Sequence, residues 1–161
     1  VAPDPVVSLP LPASVDQAAA EAGVEVQVEK VHEGVRNHLE SDPDRRWILE
    51  CAGGVLVPFS GREDQADLLA LLNAPLFLVA RSGLGTLNHT LLTLEAVRAR
   101  GLEARLLFLV GEPHPANLAT LTARLPGLPI IQVPLFPSLD PASIDAWLEE
   151  NPLPEFSPIL L

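Results

Sequence analysis

The sequence predicts an α/β protein in which a parallel sheet is flanked by helices. Between residues 76 and 149, short apolar runs of strand length alternate with amphipathic segments of helical length. Such an alternation is typical of parallel strands that are joined by right-handed helical crossovers. Apolar residues account for 48% of the 161 residues, which is enough to form a buried core. We therefore expect one α/β domain that extends over residues 1–161.

The first part of the chain is predicted to contain helices and extended segments. Residues 1–12 are rich in proline, and we expect them to be extended. Apolar periodicity and flanking turn residues predict helices at 14–22, 29–39 and 64–72. Residues 24–28 alternate between apolar and polar side chains, so they form either a short strand or an extended link. A further apolar run, 47–49, is interpreted as a strand that ends just before Glu50.

Strands and helices alternate from residue 76 onwards. Strands are predicted at 76–80, 106–110 and 128–133, and helices at 87–100, 116–125 and 141–149. The runs 76–80 and 106–110 are continuously apolar, which is typical of strands that are buried on both faces of a sheet. Ligands of parallel sheets bind outside the carboxyl ends of the strands. The candidate binding residues are therefore those that follow Leu49, Ala80, Val110 and Val133.

The charge, the cysteine content and the hydropathy argue against several classes of protein. The formal net charge is -11, whereas a protein that binds nucleic acid or an anionic membrane surface carries a basic patch. No apolar run approaches the roughly 20 residues of a membrane-spanning helix. We therefore expect neither nucleic acid nor a membrane as a partner. Cys51 is the only cysteine, and a free thiol fits the reducing cytoplasm, where we expect the protein.

A carboxylate and two glycines follow the first candidate strand, in the segment Glu50-Cys51-Ala52-Gly53-Gly54. A carboxylate at a strand end is a suitable ligand for Mg²⁺. Glycines let a ligand approach the backbone closely and offer it N–H donors. Alternatively, the carboxylate caps a turn that the glycines merely form. The residues alone support the two interpretations about equally.

A glycine-rich turn, residues 82–86, separates the strand 76–80 from the helix 87–100. Free N–H groups and the helix dipole favour a carboxylate or a phosphate at such a turn. The turn does not match G-x-G-x-x-G, and no G-K-[ST] occurs in the chain. An ordinary tight turn with Thr86 as the helix N-cap explains the pattern equally well. The loops that follow Val110 and Val133 are weaker signals.

Two of these segments together resemble the dethiobiotin synthetase family. That family carries V-E-G-A-G-G-[LV]-x-V-P-L, and residues 49–59 read L-E-C-A-G-G-V-L-V-P-F. It also carries P-V-I-L-V-A-x-x-x-L-G-x-I-N-H-x-L-L-T, and residues 75–93 read P-L-F-L-V-A-R-S-G-L-G-T-L-N-H-T-L-L-T. The G-E-P-H-P-A-N of residues 111–117 is similar to the loop after the family's next strand. The resemblance extends roughly from Leu11 to Leu148.

The resemblance implies a P-loop NTPase-like fold and an ATP-dependent ligase that works as a homodimer. The family's enzyme closes the ureido ring of dethiobiotin from diaminopelargonate, CO₂ and ATP, with Mg²⁺ bridging the phosphates. Glu50 would be the Mg²⁺ carboxylate and the catalytic residue. The implied nucleotide-binding residues, besides Glu50, are Cys51, Ala52 and Gly53 at the phosphates, Val110 and Gly111 beside adenine, and Pro134, Leu135 and Phe136 over it. The implied contacts to the substrate carboxylate, across the dimer interface, are Gly83, Leu84, Gly85, Thr86, Leu87 and Asn88.

The chain departs from the family pattern at specific positions. Cys51 replaces a glycine, and Val110 replaces an asparagine that reads adenine. The family's G-T-D-T-x-V-G-K-T loop and its K-P-V-x-S-G segment do not occur in the sequence. We therefore expect a truncated domain that lacks the first βαβ unit, exposes apolar sheet surface and has negligible ligase activity alone. The alternative is a non-catalytic binding or dimerisation module, either a degenerate paralogue or a subunit completed by a separate P-loop chain.

Overall fold

A computed structural model describes residues 5–154 of the chain. Two compact units can be distinguished. The first contains the described residues up to Asn73 together with Glu95–Leu102, and the second contains Ala74–Leu94 and the described residues from Glu103 onwards. The prediction of one truncated domain over residues 1–161 stays a prediction, and both of its ends lie outside the described residues.

The elements follow the predicted order. The first unit contains α1 (Val15–Ala22), α2 (Val28–Ser41) and α3 (Gln65–Leu72). They are followed by β1 (Leu76–Arg81), α4 (Thr86–Ala99), β2 (Ala104–Val110), α5 (Pro115–Arg124), β3 (Ile130–Val133) and α6 (Pro141–Glu150). Every predicted helix is present to within about two residues, which is the usual uncertainty of helix ends. Residues 24–27 form a link without strand pairing, and residues 5–12 form neither helix nor strand.

The three strands form a parallel sheet in the order β1-β2-β3. This arrangement confirms the predicted α/β class. Leu78 lies opposite Leu107 across β1 and β2, and Leu107 lies opposite Ile130 across β2 and β3. Leucines of α4 and α5 pack on this face of the sheet, and Leu121 of α5 is fully buried there. The alternation of apolar side chains on the strands and the helical spacing of the leucines thus produce one core.

The prediction that the strand 76–80 is buried on both faces is wrong. The burial of β1 alternates, and the side chains of Phe77 and Val79 are 44% and 65% exposed. Alternate residues of a strand point to opposite faces, and in the described part of the chain only the face of Leu78 and Ala80 is covered by the leucine core. The expected exposure of apolar sheet surface is therefore confirmed at these two residues.

The predicted strand at 47–49 is also absent. Residues 46–50 have no strand structure, and Ile48 is 95% exposed. A strand exists only where a neighbour satisfies its N–H and C=O groups, and no described residue pairs with this segment. Glu50 therefore does not stand at the end of a strand within residues 5–154.

The first unit has its own small apolar core, and α3 begins with a polar cap. Ala19, Val26, Val28 and Phe59 are buried together. The Asp64 carboxylate accepts a hydrogen bond from the N–H of Ala66, and the Asp67 carboxylate accepts one from the N–H of Asp64.

No helix among residues 5–154 has the length and apolar character to cross a membrane.

Candidate functional site

The carboxyl ends of the three strands meet in register. Arg81 at the end of β1 lies opposite Val110 at the end of β2, and Val110 lies opposite Val133 at the end of β3. The loops that follow these residues therefore leave the sheet side by side. This edge is where ligands of parallel sheets bind.

The turn from β1 into α4 carries the predicted substrate-binding residues Gly83, Leu84, Gly85, Thr86, Leu87 and Asn88. Gly85 has a φ of 89°, a conformation that glycine adopts at no steric cost. The N–H groups of Gly83, Leu84 and Gly85 donate no hydrogen bond to any described residue. The same holds for the N–H groups of Leu87 and Asn88 in the first turn of α4, as expected at a helix N-terminus. These donors, together with the helix dipole, suit a carboxylate.

Thr86 does not act as an N-cap. It is the first residue of α4, its side chain is buried, and its hydroxyl lies 3.3 Å from that of Thr90 one turn later. The two hydroxyls satisfy each other inside the protein. The start of α4 is therefore held by a buried contact, whereas Leu84 in the preceding turn is 96% exposed.

A hydrogen-bonded cluster fixes the turn to the neighbouring loop. The backbone N–H of Ser82 donates to the carbonyl of Val110 at 3.0 Å, and the Ser82 hydroxyl donates to the carbonyl of Glu112 at 2.6 Å. The side-chain amide of Asn117 donates to the carbonyls of Ser82 at 2.8 Å and Gly83 at 3.2 Å. Ser82 is only 5% exposed, and these bonds are partly buried.

The residues expected beside adenine lie at the ends of β2 and β3. Val110 is half-buried, and the N–H of Gly111 donates to the carbonyl of Val133 at 2.9 Å. In the loop after β3, Pro134 and Leu135 are exposed. The ring of Phe136 contacts Trp147 of α6 edge to face, with 6.1 Å between the ring centroids.

The predicted Mg²⁺ and phosphate residues lie in the first unit. Glu50 is exposed, and Cys51 is half-buried. The N–H groups of Cys51, Ala52 and Gly53 donate no hydrogen bond to a described residue. Gly53 has a φ of 86°. The side-chain amide of Gln65 donates a hydrogen bond to the carbonyl of Gly54 at 3.1 Å. An exposed carboxylate beside a row of free N–H groups fits one Mg²⁺ ligand and a few phosphate oxygens.

Two features limit what the segment of Glu50 and Cys51 can do chemically, one for metal binding and one for nucleophilic attack. Within residues 5–154, no group of three or more His, Cys, Asp or Glu side chains is placed to hold a metal ion, so Glu50 would need ligands from the phosphates and water. The pKa of the Cys51 thiol is raised, chiefly by burial and then by the negative charge of Glu50. The thiol is therefore neutral at pH 7 and a poor nucleophile.

Sequence reasoning did not assign a role to Ser82 or Asn117. Both stand inside the segments that carry the family resemblance, at residues 75–93 and 111–117. The side-chain amide of Asn117 donates to the backbone carbonyl of Ser82, 35 residues away in the chain, and no local pattern reveals this contact. The strand-to-loop position of Ser82 was the one available signal.

Comparisons with known proteins agree with this architecture. The sequence model of a family described as "AAA domain" matches residues 3–143. A protein of Pseudomonas aeruginosa called ATP-dependent dethiobiotin synthetase BioD is 41% identical over 141 residues, which cover 84% of this chain and 61% of that protein. A protein of the same name from Novosphingobium aromaticivorans is 39% identical over 117 residues, covering 71% of this chain and 57% of that protein.

A third relative is named as a bifunctional protein. The biotin biosynthesis bifunctional protein BioCD of Bordetella avium is 40% identical over 107 residues, which cover 65% of this chain and 23% of that protein. The aligned part of this chain spans about three fifths of the length of the Pseudomonas relative named above.

Proposed function

This chain belongs to the dethiobiotin synthetase family, and from that premise we propose that it carries the substrate-binding part of an ATP-dependent ligase. The ligase closes the ureido ring of dethiobiotin from diaminopelargonate, CO₂ and ATP. The observation that supports this role is the set of free N–H groups at the N-terminus of α4, those of Gly83, Leu84, Gly85, Leu87 and Asn88. They are suited to the carboxylate of diaminopelargonate.

The proposed reaction has three steps. One amine of diaminopelargonate adds to CO₂ and loses a proton, which gives a carbamate. The carbamate oxygen takes the γ-phosphoryl group of ATP, and ADP leaves. The second amine then attacks the carbonyl carbon, phosphate leaves with its bonding electrons, and the ring closes after the loss of a proton.

The chain's own residues contribute binding and orientation to these steps. The free N–H groups of Cys51–Gly53 would hold phosphate oxygens, and Glu50 would ligate Mg²⁺, which supplies positive charge at the phosphates. Val110 and Gly111 would border adenine, and Pro134, Leu135 and Phe136 would close over it. No G-K-[ST] motif occurs in this sequence, so we expect negligible ligase activity from this chain alone. We propose a cytoplasmic homodimer as its natural state.

Calorimetric titration of the chain with diaminopelargonate tests the substrate site. We expect measurable binding, and we expect Gly85→Ala to weaken it about tenfold or more, because a non-glycine residue at positive φ costs about 1–3 kcal/mol. Gly127→Ala is the matched control, since Gly127 also has a positive φ and open space around it. Equal effects of the two substitutions, or no binding by the unaltered chain, would refute the substrate site. A parallel titration with Mg²⁺-ATP measures what the Glu50 segment contributes.

A second candidate function is a non-catalytic dimerisation module. It is favoured by the exposed apolar side chains of Phe77 and Val79 on β1. Sedimentation equilibrium of the chain and of Val79→Lys separates the two candidates. A dimer that dissociates on this substitution, without any diaminopelargonate binding by the unaltered chain, would favour the module over the ligase.

A further inference from the structure

Three backbone segments converge at the carboxyl edge of the sheet, and one side chain joins two of them. The turn 82–85 follows β1, the loop 111–114 follows β2, and α5 begins at Pro115. Asn117, in the first turn of α5, reaches back to the turn after β1 and donates to the carbonyls of Ser82 and Gly83. Because carbonyl oxygens only accept hydrogen bonds, the amide nitrogen must face them.

These two bonds fix the direction of two peptide planes. No peptide bond in the described chain is cis, and in a trans peptide the N–H points away from the preceding C=O. When Asn117 holds the carbonyls of Ser82 and Gly83, the N–H groups of Gly83 and Leu84 must point to the opposite side. Those two N–H groups are among the free donors of the turn.

Within the turn itself, one hydrogen bond bears on this direction: the N–H of Thr86 donates to the carbonyl of Gly83 at 3.3 Å. No N–H group of the turn donates to the carbonyl of Ser82. Gly83 has no side chain and open space around it, and Leu84 is 96% exposed. Glycine explores more backbone conformations than any other residue, so the orientation of the Ser82–Gly83 peptide has to be imposed from outside the turn, and Asn117 adds a second donor to the carbonyl of Gly83. Asn117 itself is held at its backbone, because its N–H donates to the ring nitrogen of His114 at 3.3 Å. Ser82 is held separately, since its hydroxyl donates to the carbonyl of Glu112.

We propose that Asn117 is a positioning residue that aims the N–H groups of Gly83 and Leu84 at the bound ligand. The identity of that ligand, the carboxylate of diaminopelargonate, rests on the proposed function. The aiming itself rests only on hydrogen bonds within the second unit. Asn117 does not touch the substrate, and it acts through the two peptide planes.

Nuclear magnetic resonance relaxation of the ¹⁵N-labelled chain tests the aiming directly. We expect backbone order parameters near 0.85 at Gly83 and Leu84 in the unaltered chain, and values below about 0.6 in Asn117→Ala. Asn117→Asp keeps the size of the side chain but turns acceptors towards two carbonyls, so it should mobilise the turn as strongly. Thr120→Ala on the exposed side of the same helix removes a hydroxyl that donates to Ala116, and it should leave the turn unchanged.

Several outcomes would overturn the proposal. Order parameters that are already low in the unaltered chain would show that the turn is not held. An Asn117→Asp variant that keeps the turn rigid would show that packing rather than hydrogen bonding matters. A loss of order throughout β1, β2 and α4 in Asn117→Ala would reveal a general structural role.

Ligand binding gives the second measurement. If the unaltered chain binds diaminopelargonate, we expect Asn117→Ala to raise the Kd about tenfold while Thr120→Ala leaves it unchanged. If the Kd does not rise although the turn is mobile, the two N–H groups do not contact the ligand and the proposal is wrong. If the unaltered chain does not bind, the substrate assignment fails, and the relaxation data still decide whether Asn117 orients the turn.

Discussion

Ser82 donates its hydroxyl hydrogen to the carbonyl oxygen of Glu112 across 2.6 Å, and so joins two loops that are 30 residues apart in the chain. Ser82 is only 5% exposed, and the bond lies next to the ladder pair Arg81 and Val110. The hydroxyl is therefore part of the structure that sets the shape of the sheet edge.

We expect Ser82→Ala to lower the free energy of unfolding by about 1–1.5 kcal/mol, because it removes a partly buried hydrogen bond. Urea denaturation followed by circular dichroism measures this. Ser41→Ala is the control, since the Ser41 hydroxyl also donates to a carbonyl, that of His38 at 2.7 Å, but in an exposed position. There we expect a change of about 0.5 kcal/mol or less. Similar losses at both positions would contradict the role assigned to Ser82.

Gly111 is expected to tolerate no side chain. Its φ is 128°, and a Cβ atom there would lie 2.8 Å from the Ser82 hydroxyl oxygen. Since Ser82 can move only by giving up its bond to Glu112, Gly111→Ala should cost about 2–4 kcal/mol through backbone strain and the lost bond. Gly61→Ala, at a glycine with open space and no positive φ, should change the free energy of unfolding by less than about 1 kcal/mol. A Gly111→Ala variant as stable as Gly61→Ala would show that the edge adapts freely.

Arg100 is expected to stabilise the start of α3. Its guanidinium pairs with Asp64 and, at 3.4 Å, with Asp67, and both carboxylates belong to the capping box of that helix. The Arg100 side chain is about a quarter exposed, so we expect Arg100→Ala to cost about 1 kcal/mol, including looser capping. The exposed pair of Arg36 and Glu40 provides the control, because Arg36→Ala should cost only about 0.3–0.5 kcal/mol. The comparison is made by thermal and urea denaturation, and an Arg36→Ala loss equal to or above that of Arg100→Ala would count against the idea.

The reactivity of Cys51 is expected to depend on pH in a specific direction. Burial, and then the charge of Glu50, raise the pKa of the Cys51 thiol above its ordinary value of 9.0. Since only the thiolate reacts, alkylation by iodoacetamide should be slow at pH 7 to 8 and should rise with an apparent pKa above that of a free thiol. Glu50→Gln removes the repelling charge, so it should lower the apparent pKa and speed the reaction at pH 8. An apparent pKa at or below the ordinary value would refute the assigned environment.

Local sequence patterns determined a large part of this structure. The α/β class, the order of the elements and the glycine turn between β1 and α4 were all predictable, because apolar periodicity and turn residues act over a few neighbouring positions. The family was predictable for a similar reason, since two continuous segments, 49–59 and 75–93, carry its motifs.

Pairing between distant residues was decided only by the tertiary structure. The run 47–49 has the composition of a strand but finds no partner among residues 5–154, and Phe77 and Val79 are exposed although their strand reads as fully buried. The contact of Asn117 with Ser82 and Gly83 depends on the register that places the ends of β1 and β2 side by side. Composition determines which segments can form strands and turns. The register of the sheet determines which side chains meet, because hydrogen bonds between distant residues exist only once the chain has brought both partners together.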